Sequence, residues 1–247
     1  TAGHQVEGDD RSSNWNTWET SGRTQALPGR ATDSWRRYAE DFDLARGMGL
    51  NAFRFSIEWA RIEPRPGVID AEALETYRRM IRAARDRGLE PVVTLHHFSY
   101  PSWLDNWKQG TGAYPGWEDI HTAQAFERYA RLVAHEFGRD VRYWITLNEP
   151  NTQVILGYLT GSFPPGKVNP GAAAKVAEHM TLGHALAYDA IHEEDPDAMV
   201  STNMFELIHA SDPSAGFPGD PSRQMVQDLL NWQGASGTPA MNLAGLG

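Results

Sequence analysis

An α/β fold on a parallel sheet, and within that class a (β/α)8 TIM-type barrel, is what the sequence predicts. Three observations lead there. Short, mostly apolar runs alternate with stretches of helical periodicity, and strands without polar alternation belong to a sheet covered on both faces. No Gly-x-Gly-x-x-Gly follows any run and no Gly-x-x-x-x-Gly-Lys-Ser/Thr occurs, so the phosphate cradles of open nucleotide-binding sheets are missing. The polar residues fit for chemistry fall at the carboxyl ends of the runs: Arg54 and Ser56, His96 and His97, Asn148 and Glu149, Asn203 and Glu206. That end is the working face of a barrel.

The elements follow in order. Asp33 predicts the N-cap of a helix that buries Trp35, Tyr38, Phe42 and Ala45 and stops at Gly47 and Gly49. A strand is expected over 51–57. Asp70 caps the next helix, whose apolar stripe is Leu74, Tyr77, Ile81 and Ala84, with Gly88 at its end, and a strand follows over 90–96. A third helix begins near Thr122, presents Phe126, Tyr129 and Val133, ends at Gly138 and leads to a strand over 142–147. After Pro170 a fourth carries Ala173, Val176, Met180, Ala187 and Ile191 inward and stops before Pro196, ahead of a strand over 198–204. A weaker helical pattern covers 221–232. The stretches 106–117 and 157–170 read as aromatic-bearing rim loops.

Composition narrows the partners. The chain has 247 residues, 22 Lys+Arg against 32 Asp+Glu and no Cys, which excludes disulfides and cysteine-held metals. An acidic balance without a basic stretch argues against nucleic acid, and no apolar run approaches the length of a membrane span. Nine Trp allow two readings, core packing or stacking on the C–H faces of sugar rings.

Glu149 stands just past an apolar run, between Asn148 and Pro150. Partial desolvation favours the protonated form of a carboxyl, as a general acid requires; an ordinary exposed loop carboxylate is the competing reading. The surrounding segment, Trp144-Ile-Thr-Leu-Asn148-Glu149-Pro150-Asn151, resembles the acid/base motif of the family 1 glycoside hydrolases, the β-glucosidase and β-galactosidase family of (β/α)8 barrels. His4-Gln5-Val6-Glu7-Gly8 resembles that family's sugar-binding segment after strand one. The stretch from Gly49 to Trp59 resembles its strand two, and Val93-Thr94-Leu95-His96-His97-Phe98 its strand three.

The resemblance implies roles. Glu149 is the acid/base, Asn148 the partner of the sugar 2-hydroxyl, Gln5 and His97 the holders of the hydroxyls at positions 3 and 4. Arg54 lies beside the nucleophile and keeps it ionised. The implied substrate is a β-glucoside or small oligosaccharide, with no cofactor. The His96-His97 pair also suggests a metal, but neighbouring strand residues point to opposite faces, so no metal is expected.

Two departures stand out. Phe98-Ser99 replaces the family's frequent Trp-Asp, and no Glu-Asn pair occurs anywhere in the chain, whereas the family's nucleophile is the Glu of a Thr-Glu-Asn-Gly segment. Glu206 is a weak stand-in, and Glu58 is a structural residue in the resemblance. The βα units are spaced about 40 to 56 residues apart, against roughly 30 in a barrel of this length. The expectation is therefore one catalytic domain over 1–247, partial, with about strands one to five and little activity alone. An inactive sugar-binding or structural module derived from that barrel is the alternative. The expected compartment is the cytoplasm.

Overall fold

Four parallel strands, β1 (Ala52–Ser56), β2 (Glu90–His96), β3 (Tyr143–Asn148) and β4 (Met199–Asn203), form one sheet in sequence order. The computed structural model describes residues 1–25, 27, 29–105 and 115–205, and Thr1–Phe205 is one unit. Each strand pairs with the next in sequence, so every connection is a crossover long enough to carry a helix. Two short helices, α1 (Gly3–Val6) and α2 (Asn14–Trp18), precede the sheet. α3 (Ser34–Gly47) also precedes β1, and the crossovers hold α4 (Trp59–Ile62) and α5 (Ala71–Asp86) after β1 and α6 (Ile120–Phe137) after β2. After β3 come α7 (Pro150–Val154), which runs into a π-helical turn over Ile155–Leu159, and α8 (Pro170–Glu194).

The core lies between the sheet's outer face and these helices. Phe55, Val93 and Trp144, opposite one another across β1, β2 and β3, are buried with Tyr77, Ile81, Phe126, Tyr129, Val133, Val176 and Met180 of the helices. Trp59 stacks on Tyr129 at 5.0 Å. Every apolar run read as a strand is one, with ends shifted by a residue or so.

The caps show where local rules hold. Asp70 Oδ1 accepts from the backbone N–H groups of Glu72 (2.9 Å) and Ala73 (3.0 Å), and Gly88 at φ +68° ends the following turn. The Asp70→Ala variant is expected to lose about 1 kcal/mol; an unchanged denaturation midpoint would show those bonds to be idle. Asp33 does not cap α3. Its backbone is left-handed, φ +56°, which turns the carboxylate away from the first-turn amides and toward Arg36. In α3, Phe42 and Ala45 are buried, whereas Trp35 and Tyr38 are only partly so. The third helix starts earlier than Thr122 because Asp119 caps it, accepting from His121 N–H at 2.9 Å. Gly157 falls inside the π-helical turn, so the second rim loop begins at Thr160.

Where strand one is expected, Gly3 N–H donates to Ser56 Oγ at 2.6 Å, and Thr1 pairs with β1 through its backbone. Its ammonium donates to Arg54 O (2.8 Å) and its carbonyl accepts from Ser56 N–H (3.1 Å). Glu206, the helix over 221–232 and residues 106–114 of the first rim loop lie outside the described residues. Among the described residues no helix is long and apolar enough to cross a membrane.

Candidate active site

The site is assembled at the carboxyl ends of the strands. Phe53 and Phe55 turn outward onto Phe42 of α3, at 4.9 and 6.2 Å, so strand alternation sends Arg54 to the inner face. There its Nε donates to Thr94 Oγ1 on β2 (2.9 Å), and its Nη2 donates to Asn148 Oδ1 on β3 (2.6 Å) and Asn203 Oδ1 on β4 (3.1 Å). One guanidinium thus links all four strands. Burial lowers its pKa from the ordinary value, the negative charge of Glu149 opposes that, and a guanidinium stays protonated regardless.

Asn148 reaches this layer through an irregularity. Thr146 hydrogen-bonds His184 of α8 at 2.7 Å and so faces the helices; plain alternation would aim Asn148 the same way. The register against β4 shifts between Ile145 and Asn148, a bulge of the kind that re-aims a side chain. Asn148 is 2% exposed, and Asn203 Nδ2 donates to its Oδ1 at 3.2 Å.

Glu149 sits at the turn from β3 into α7 in a left-handed conformation, φ 44° and ψ 59°. For a residue with a side chain that costs on the order of 1 kcal/mol or more, and such outliers gather at functional sites. Its N–H donates to Asn203 O (2.8 Å), its side chain accepts from Thr152 Oγ1 (3.1 Å), and it is partly exposed.

The histidines separate. His96 is fully buried, accepts from Trp117 Nε1 at 3.1 Å and lies edge-on to Phe126. His97 lies in the field of Arg54, and burial, with that charge and the amino terminus, pushes its pKa down to about 3. It is neutral at neutral pH, and its buried Nδ1 has no hydrogen-bond partner among the described residues. Gln5 is exposed on α1 without a hydrogen bond to His97, Asn148 or Glu149 among the described residues. Arg54, Asn148 and Glu149 are thus brought together, His97 adjoins them, and Gln5 is not joined to them. Among the described residues no three His, Asp or Glu converge on a metal position.

Three contributors carry no assigned role in the sequence reading, although it places Asn203 among the polar residues at the ends of the runs. Thr94 and Asn203 anchor Arg54; each is a polar residue at or near the end of an apolar run, the same signal that marks Asn148. The third is a cluster of rings from three segments. Phe163 meets Trp15 edge-on at 5.0 Å and Phe98 at 5.5 Å, Phe98 adjoins His97 at 5.4 Å, and Trp15 Nε1 donates to Phe98 O at 3.1 Å. All three rings are partly exposed, and Phe98 is held at φ +68°.

A parallel sheet under helices, with its polar groups gathered at the strands' carboxyl ends, defines four neighbouring strands of a (β/α)8 barrel. Within that class the chain belongs to glycosyl hydrolase family 1, whose profile matches residues 1–227. It is 37% identical over 179 residues to a coniferin β-glucosidase of Pinus contorta, covering 66% of this chain and 34% of that one. It is 34% identical over 209 residues to a β-galactosidase of Pyrococcus woesei, covering 69% and 41%. A β-glycosidase structure from Pyrococcus horikoshii superposes with a TM-score of 0.76 at 32% identity, covering 94% of this chain and 52% of that one. The chain therefore spans less than half the length of those two curated relatives.

Proposed function

We propose that this chain carries the acid/base half of a retaining β-glycosidase site acting on β-D-glucosides. The observation that carries the reading is Glu149, held in a strained turn at a strand's carboxyl end beside an Asn148 pinned by Arg54. In this reading Glu149 gives its proton to the glycosidic oxygen, then takes one from the incoming water. Asn148 contacts the sugar 2-hydroxyl as positive charge develops at the anomeric carbon. His97, neutral, holds a further hydroxyl. The partly exposed rings of Trp15, Phe98 and Phe163 offer a shelf for a sugar face or an aryl aglycone.

Retention needs a second carboxylate about 5–5.5 Å from the first. The proposal assigns it to a Thr-Glu-Asn-Gly segment outside residues 1–247, in the parent polypeptide, and residues 1–247 alone are expected to hydrolyse little. The test is the proton spectrum of the first product formed by the parent from an aryl β-D-glucoside. The β anomer of glucose is expected first. An α anomer would mean inversion and overturn the reading, and sugar binding without hydrolysis would favour a binding module. Turnover by residues 1–247 that Glu206→Ala abolishes would move the nucleophile to Glu206.

A further inference from the structure

We propose that Asn203 is a positioning residue that fixes which way the Asn148 amide faces, so that Asn148 presents N–H donors to the substrate; the inference rests on the glycosidase reading above. The argument is one of donors and acceptors. A guanidinium only donates. Arg54 Nη2 lies 2.6 Å from one atom of the Asn148 amide and 3.1 Å from one atom of the Asn203 amide, so both atoms are oxygens. That leaves Asn203 Nδ2 as the group facing Asn148 Oδ1 at 3.2 Å.

Asn148 Oδ1 therefore accepts twice, and its NH2 is turned away from Arg54. That NH2 makes no hydrogen bond among the described residues, and it is not one of the side-chain atoms that are both buried and without a partner, so it is open to an incoming group. With its oxygen held by two donors, the open NH2 beside Glu149 in the chain is set to donate to an acceptor that arrives, the oxygen on carbon 2 of the sugar. Asn203 also accepts the N–H of Glu149 through its backbone carbonyl, at 2.8 Å. One residue at the end of β4 thus steadies both the amide and the turn that carries the acid.

The test uses Asn203→Ala, which keeps the backbone carbonyl but removes the amide, and Asn203→Asp, which is nearly isosteric but has no NH2 for Asn148. For each, kcat/KM is measured in the parent protein on an aryl β-D-glucoside and on its 2-deoxy analogue, with the binding of glucose and 2-deoxyglucose titrated alongside. The preference for the 2-hydroxyl substrate is expected to fall about tenfold in both variants, the size of one good hydrogen bond. Most of that fall should lie in kcat on the glucoside, with the 2-deoxy rate changed little. Equal losses on both substrates, or an unchanged preference, would make Asn203 merely structural and overturn the inference alone. Wild-type protein that neither hydrolyses nor binds either sugar would overturn the glycosidase reading and this inference with it.

Discussion

In the parent protein, Glu149→Gln is expected to lower kcat/KM on an unactivated β-linked disaccharide by about 10²–10⁴-fold. Glutamine is nearly isosteric, and its amide oxygen can still accept from Thr152, as Glu149 does at 3.1 Å. The N–H bond to Asn203 O is a backbone contact, so the left-handed turn survives the change. What goes is a transferable proton. A sugar alkoxide is a poor leaving group and needs that proton in the transition state; a nitrophenolate departs without it. The loss in bond cleavage should therefore be much smaller on an activated aryl glucoside, and the ratio of the two losses is the diagnostic. Equal losses on both would place Glu149 in the scaffold, and undiminished disaccharide turnover would remove it from the acid role altogether.

That such a site can be read from a sequence follows from what each residue needs. Asn148 and Glu149 sit at the end of an apolar run and Arg54 inside one, so their position along the strands is legible in the sequence. The helices are legible because Tyr77, Ile81, Phe126 and Val176 recur at helical spacing and are buried as that spacing implies. What stays hidden depends on contacts between distant segments. Phe98 and Phe163 belong to two loops and Trp15 to helix α2, and nothing local says that their rings meet. Asn148 faces inward only because of a register irregularity against β4, which alternation cannot foresee. Asp33 has the residue type of a cap, but a left-handed backbone withdraws its side chain. Gln5 shows the converse, since a motif places it in the site while the described residues leave it exposed.

The largest hidden feature is a buried ionic cluster beneath α1, and its consequence is measurable. Thermal stability is expected to be greatest at about pH 4 to 4.5 and to fall by about 10 °C toward pH 9. His4 of α1 bonds Asp10 (3.0 Å) and Glu19 (3.2 Å). Glu7 pairs with Arg61 of α4 (2.7 Å) and accepts from Tyr77 of α5 (2.8 Å). Glu58 accepts from Ser99 and from Ala60 N–H (3.3 Å). Four carboxyls, Glu7, Asp10, Glu19 and Glu58, face two cationic groups, His4 and Arg61, so full ionisation would leave buried negative charge unbalanced.

The shifts follow from that crowding. Burial raises Glu7 from 4.5 to about 7 against the pull of Arg61, and burial with the charge of Asp10 raises Glu58 likewise. Burial works against charge on His4, but the bond to Asp10 and the charges of Glu58, Asp10 and Glu19 outweigh it and raise the imidazole from 6.5 to about 9. Each of these three is protonated more readily in the folded chain than in the unfolded one. The stability Glu7 and Glu58 contribute is complete below about 4.5 and lost as pH rises through about 7. That from His4 is complete below about 6.5 and lost through about 9. Asp10 runs the other way: burial opposes, but its hydrogen bonds and His4 lower it below 3.8, so its contribution is lost as pH falls beneath that value. The maximum is thereby confined to mildly acid pH. Glu58→Gln tests the origin, because an amide can accept from Ala60 N–H and donate to Ser99 Oγ without titrating. The variant should lose part of the slope between pH 4.5 and 7 and, because the Glu58 charge helps to raise His4, part of the limb above it as well. A wild-type profile flat or rising from pH 5 to 8, or a variant slope equal to the wild type's, would show that the cluster does not govern stability.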